Sequence, residues 1–171
     1  MVISMGVLGI FLLFVGITLV INGVNRFNGM SAKSAAVMNA FTGVIIVVGC
    51  FINFGRAADT VSYTAVASGF LFGFTYVFIA LNNLFDLDWR PFGWFSLFVT
   101  IYAVYMALIS GMAGDWAFVY LWTAWALLWL NGFLDIVLKM KSMAKIFPYL
   151  SIAVGLFAAF IPALMMLTDK W

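Results

Sequence analysis

The chain has 171 residues, 67% of them hydrophobic and 8% charged, with a formal net charge of +2 and a mean hydropathy of +1.18. That balance excludes a soluble globular domain, and the few cations form no clustered basic face of the kind nucleic-acid binding needs. Histidine is absent and all six acidic residues are aspartates, which removes His-based triads, His-ligated zinc and paired-Glu acid/base schemes.

Six apolar runs, 3–24, 34–54, 61–85, 91–111, 116–138 and 146–167, use nearly the whole chain. Each approaches or exceeds the roughly 20 residues that cross about 30 Å of hydrocarbon as a helix. The expectation is an all-α integral membrane protein, one six-helix transmembrane domain over 1–171.

The opening MVISMGVLGI lacks the basic region and cleavage site of a secretory signal, so span one is expected to be retained. On it, Leu8, Leu12, Val15, Leu19 and Asn22 fall within about 80° of a helical wheel, an apolar track ending in a carboxamide. Gly6, Gly9 and Gly16 would permit close helix approach there, as Gly69 and Gly73 would in span three. Span two carries the lone Cys50, which excludes an internal disulfide.

In span three, Phe70, Phe72, Phe74, Tyr76 and Phe78 alternate as a strand would, but a run of about 25 apolar residues is too long for one barrel strand. Read as a helix, it stands Phe72 and Tyr76 one above the other. In and just before the link LDWRP, Asp86 and Asp88 are placed to neutralise Arg90, and Pro91 suits the first turn of span four. Asp115, in GDW, reads first as the cap of span five.

Span five holds WTAWALLW, with Trp122, Trp125 and Trp129 within an arc of roughly 60° and Phe118 one turn away. At its end Asp135 and Lys139 read as an i, i+4 pair. Asn22, Asn82 and Asn131 stand near the same end of the odd-numbered spans, a weak internal echo.

Short connections such as GRAADT and LDWRP suggest three antiparallel helical hairpins in one bundle. Loops 1–2, 3–4 and 5–6 carry Arg26, Lys33, Arg90, Lys139, Lys141 and Lys145, whereas the opposite loops carry only Arg56. The positive-inside rule then places both termini outside.

No aspartate falls at mid-membrane, where proton relays and coupling-ion sites place a carboxylate. What remains is uncharged stripes, and each can be read as a packing seam, since its spacing is also that of a coiled coil. For the tryptophans a lumen fits better: close membrane contacts favour small residues, and three indoles hold backbones apart. An indole N–H in dry hydrocarbon also costs free energy, and a passage visited by water or a polar solute would satisfy it. Such a passage would reject ions and admit small planar neutral amides, which meet π faces, indole N–H and Asn or Tyr oxygens weakly enough to leave.

The chain resembles the AmiS/UreI family of bacterial urea and short-chain amide channels. The resemblance rests on LFVGITLVINGV (13–24), AKSAAVMN (32–39), GFLFGFTYVFIALNNLFDLDWRPFGWFSLFV (69–99), GDW (114–116), WTAWALLWL (122–130) and IPA (161–163). It implies a six-helix protomer with both termini outside, in the bacterial inner membrane. It also implies a homo-hexameric ring in which every protomer has its own pore and lipid fills the centre.

By motif, Phe72, Tyr76, Trp125 and Trp129 correspond to the aromatic constriction of the urea channel. Leu12, Val15, Leu19 and Asn22 match pore-facing positions of its first helix, and Trp122 matches a tryptophan nearer the outer vestibule. Phe118 stands where a further tryptophan is expected. The acid-gated members carry a long, His-bearing loop where this chain has GRAADT, and an intramembrane Glu where it has Val154.

The reading is therefore a non-enzymatic passive channel for urea or short aliphatic amides, without cofactor, metal or histidine gate, beside a cytoplasmic amidase or urease. An ion-coupled transporter or an amide sensor is the alternative, since Na⁺ sites built from backbone carbonyls leave little trace in sequence.

Overall fold

The computed structural model describes residues 4–171, and the described residues are all helical apart from short connections. The helices are α1 (Met5–Asn28), α2 (Ala32–Phe54), α3 (Thr60–Phe85), α4 (Arg90–Met112), α5 (Trp116–Ile136) and α6 (Lys141–Leu167). All six are long and apolar enough to span a bilayer. Large apolar side chains such as Phe41, Phe98, Leu108 and Met112 stand exposed on the bundle's outside, where hydrocarbon is their natural solvent. The chain is a multi-pass membrane protein.

Local chemistry sets the helix ends. Ser4 accepts from the N–H of Val7, Ser31 from that of Ser34, and Asp115 from that of Phe118, each satisfying a donor the first turn leaves open. Asp59 and Ser62 form a reciprocal capping box at the start of α3. Pro91 falls in the first turn of α4, where no N–H is needed. Gly29, at φ 63°, closes α1 in the left-handed conformation that glycine adopts without steric cost. The run of alternating aromatics lies within α3, as its length requires.

Two expected charge pairings differ from what forms. Because α5 stops at Ile136, Lys139 sits past the helix end at φ 53°, so the i, i+4 geometry that would pair it with Asp135 is lost. Between α3 and α4, Asp88 alone holds Arg90, at 2.5 Å, while Asp86 reaches Lys33 on α2 at 3.7 Å.

The helices stand in a ring in chain order, and α6 closes against α1. Packing is most extensive for the pairs α2–α3, α4–α5 and α1–α6. The pair α3–α4 touches least despite its short link, and the backbones of α3 and α5 do not meet. Of these pairs, α1–α6 joins the two ends of the chain and is no hairpin.

Glycine explains the tight seams. Gly9, Gly16 and Gly23 recur every seven residues along α1, and a Cβ on Gly16 would stand 2.7 Å from the backbone N of Phe160 in α6. Similarly, a Cβ on Gly43 would lie 2.7 Å from the Val77 backbone N across α2–α3, and one on Gly93 would lie 2.5 Å from Val137. A Cβ on Gly6 would meet only Ser4, at 3.9 Å, so Gly6 belongs to no seam, and Gly69 borders a cavity. Hydroxyls tie further contacts: Thr18 to Thr42 at 2.7 Å, and Ser151 donating to the Leu19 carbonyl at 2.7 Å.

Candidate functional site

The ring encloses two cavities, an upper one of about 460 Å³ at the end where α1 begins and a lower one of about 560 Å³ where α1 ends. Leu12, Val15, Phe118 and Trp122 border the upper cavity, along with Leu8. Leu19, Asn22, Tyr76 and Trp129 border the lower one. Phe72 and Trp125 border both, so these two rings are a common wall. The structure thus brings all ten singled-out residues to the two cavities.

Helical spacing makes the wall. Phe72 on α3 faces the three indoles of α5, with ring centroids 4.8 Å from Trp125, 4.8 Å from Trp129 and 6.3 Å from Trp122. The interplanar angles of 83°, 75° and 60° are edge-to-face, the geometry that sets the positive rim of one ring against the negative face of another. Trp122 and Trp125 meet the same way at 5.1 Å. Phe118 stands apart from this cluster, its ring against Trp171 at 5.8 Å.

Two of the three indole N–H groups do not wait for a solute. Trp125 donates to the Ala158 carbonyl of α6 at 2.9 Å, and Trp129 donates to the Thr75 hydroxyl of α3 at 3.2 Å. Thr75 in turn donates to the Leu71 carbonyl at 2.8 Å, so it is positioned as an acceptor for the indole. The sequence-level expectation that solute or water completes these donors is corrected at both positions. The Asn22 carboxamide is likewise engaged: Asn22 and Asn39 of α2 exchange two bonds, at 3.0 and 2.8 Å.

The two cavities differ in chemistry. The upper one is chiefly aliphatic and aromatic, with hydroxyls from Thr60, Thr64 and Ser68 along one side and the capping carboxylate Asp115 at its rim. There the Tyr102 hydroxyl meets that of Ser68 at 2.7 Å, and its ring packs on Trp122 with centroids 6.0 Å apart. Arg26 and Asp135 face the lower cavity along with Asn25, Asn83 and the Tyr76 ring. Among the described residues no group of three metal-ligating side chains converges.

Sequence reasoning did not single out Thr75, Asn39 or Ala158. The one aliphatic hydroxyl inside the aromatic run FTYVF was a usable signal for Thr75, because such a group in an apolar span must find partners.

Comparison with known proteins adds the following. The family model described as AmiS/UreI family transporter matches residues 7–170. An acid-activated urea channel of Helicobacter pylori strain J99 is 36% identical, the match covering 96% of this chain and 99% of that one. That alignment runs over 195 positions, more than the 171 residues present here, so the relative carries inserted residues. A Mycolicibacterium smegmatis protein described as a transporter of amidate substrates is 34% identical over 95% of this chain and 78% of its own. Among solved structures, the cryo-EM structure of the Helicobacter pylori urea channel in a closed state superposes with a TM-score of 0.88 at 37% identity. It covers 96% of this chain and 99% of that one.

Proposed function

The chain belongs to the AmiS/UreI family, and from that membership and the geometry of the two cavities we propose that it is a passive channel for urea and short-chain aliphatic amides. One observation carries the reading: the wall between the cavities is built of uncharged rings, Phe72 and Trp125 with Trp129 and Trp122 behind them. An ion crossing that wall sheds hydration at a cost of several kcal/mol with no counter-charge to offset it. A planar neutral amide loses less, presenting its faces to the rings and its N–H groups to their π clouds.

On this reading Leu12, Val15, Phe118 and Trp122 line the approach, Phe72, Trp125 and Trp129 form the slot, and Leu19, Asn22 and Tyr76 line the exit. Basic residues at the lower end, Arg26, Lys33, Arg90, Lys141 and Lys145, support a cytoplasmic lower cavity, with both termini outside a bacterial inner membrane. A homo-hexamer of self-contained pores fits the family, as does a cytoplasmic amidase or urease that consumes the solute and sustains net flux. Without histidine, the channel carries no imidazole gate, and the short GRAADT connection is consistent with the relative's inserted residues being absent there.

Stopped-flow osmotic recovery of proteoliposomes under urea, formamide, acetamide or propionamide gradients tests the proposal. A channel accelerates recovery for one or more of these solutes and leaves ion conductance at background. Recovery no faster than in empty liposomes sinks it, and uphill accumulation that an ionophore collapses would replace it with a coupled transporter.

A further inference from the structure

We infer that Pro162 is a positioning residue for the aromatic slot: it leaves α6 with carbonyls to spare, and one of them fixes the Trp125 indole. This rests on the channel reading above. In an unbroken α-helix the carbonyl of Ala158 would accept from the N–H of residue 162. Proline has no N–H, so that carbonyl is freed. It accepts instead from Trp125 Nε1 at 2.9 Å, in a place where Ala158 is fully buried and no water could substitute.

A second carbonyl is freed one residue earlier. Residues 156–160 form a π-helical turn, and the N–H of Ile161 reaches back five residues to the Leu156 carbonyl, skipping Phe157. The Phe157 carbonyl has neither Ile161 nor Pro162 as donor, and the Tyr120 hydroxyl of α5 donates to it at 3.1 Å. Tyr120 and Trp125 therefore hook onto neighbouring carbonyls of one irregular turn. The turn is wedged against α1 as well, since Phe160 faces Gly16, where a Cβ would stand 2.7 Å away. Backbone that would be a fault in an ordinary span is thereby made into a fixed acceptor for a ring of the slot.

The role assigned to Pro162 is exerted through Trp125, so its test needs a readout that loss of stability alone would not move. Indole ¹⁵N–H spectra of the full-length protein in nanodiscs, assigned with Trp→Phe variants, follow the Trp125 N–H directly. In the wild type that proton should exchange with solvent more slowly than the Trp122 N–H. Pro162→Ala restores a competing donor, and Trp125 N–H exchange should quicken by about fivefold, the factor equivalent to a hydrogen bond worth roughly 1 kcal/mol.

In liposomes the propionamide-to-urea permeability ratio should rise with Pro162→Ala, and the same change should add nothing in a Trp125→Phe background. Equal exchange at Trp122 and Trp125 in the wild type overturns the assignment without any variant having to fold. So does an additive response of the two substitutions. If the wild type conducts no amide, the channel reading fails, while the exchange measurement still decides whether the proline-freed carbonyl holds the ring.

Discussion

The α1–α6 seam and the α3–α5 divide show opposite uses of side-chain size in one bundle. Along the seam, Gly9, Gly16 and Gly23 bring two backbones into direct contact and leave no space. Across the divide, Phe72 and three indoles fill the gap between two helices whose backbones never touch. Small residues close the ring, whereas large ones fill its middle and hold two helices apart. The lesson is that bulk within a membrane bundle can be an architectural device for separation, and that the bundle supplies acceptors for the polar atoms it buries with that bulk, as Ala158 does for Trp125 and Thr75 for Trp129.

The comparison breaks most severely at the seam. Gly16→Leu forces a side chain onto the Phe160 backbone and the Gly155 carbonyl. It should cost about 3 kcal/mol or more of stability, the upper range for overpacking, read as loss of monodisperse protein or a lowered midpoint of thermal unfolding. The divide should instead yield in function. Phe72→Ala removes the ring that both cavities share, and permeability to propionamide should rise about tenfold, a change of roughly 1.4 kcal/mol in barrier height. Trp129→Ala should shift the solute preference in the same assay, with ion conductance still at background. If both variants transport like the wild type, the rings are packing only.

A gentler cut separates propping from holding. Thr75→Val keeps volume but leaves the buried Trp129 N–H without its acceptor, so stability should fall by about 1–3 kcal/mol in denaturant titration. Solute selectivity should move less than it does in Phe72→Ala. Smallest of all is the expected effect of pH. Hydrogen bonds from the Ser62 hydroxyl and N–H hold the Asp59 carboxyl below its ordinary range, and the Arg90 guanidinium and N–H do the same for Asp88. A depressed carboxylate contributes stability above its unfolded-state pKa, near 4, and loses it as pH falls through the folded value, which lies lower still. Urea flux should therefore stay flat from about pH 5 to 8, and steep acid activation in that window would contradict the absence of an imidazole gate.

Much of this was readable from residues alone. Span number followed from run length and hydropathy, and the placement of ten side chains at the cavities followed from helical spacing and motif order. Caps at Asp59 and Asp115 are local chemistry, but only Asp115 was read as such. Other features depend on partners far along the chain. The acceptor for Trp125 lies 33 residues away and that for Trp129 lies 54 residues away, so no window of sequence contains the pair. Helix ends are similarly delicate: α5 stops two residues short of the apolar run, and that difference alone dissolves the Asp135–Lys139 pair. Nothing in the sequence around Asp86 announces that it turns away from Arg90 to Lys33 on another helix.

The reciprocal bond between Asn22 and Asn39 has a kinetic meaning for traffic through the lower cavity. Two primary carboxamides joined edge to edge form the dimer that a passing amide would itself make with a free asparagine. With that edge already spent on Asn39, position 22 presents no matching carboxamide edge to a solute, and the amides left on that cavity wall are those of Asn25 and Asn83. On the proposed channel reading, a lone asparagine at position 22 would add one more such edge and make the cavity stickier for an amide.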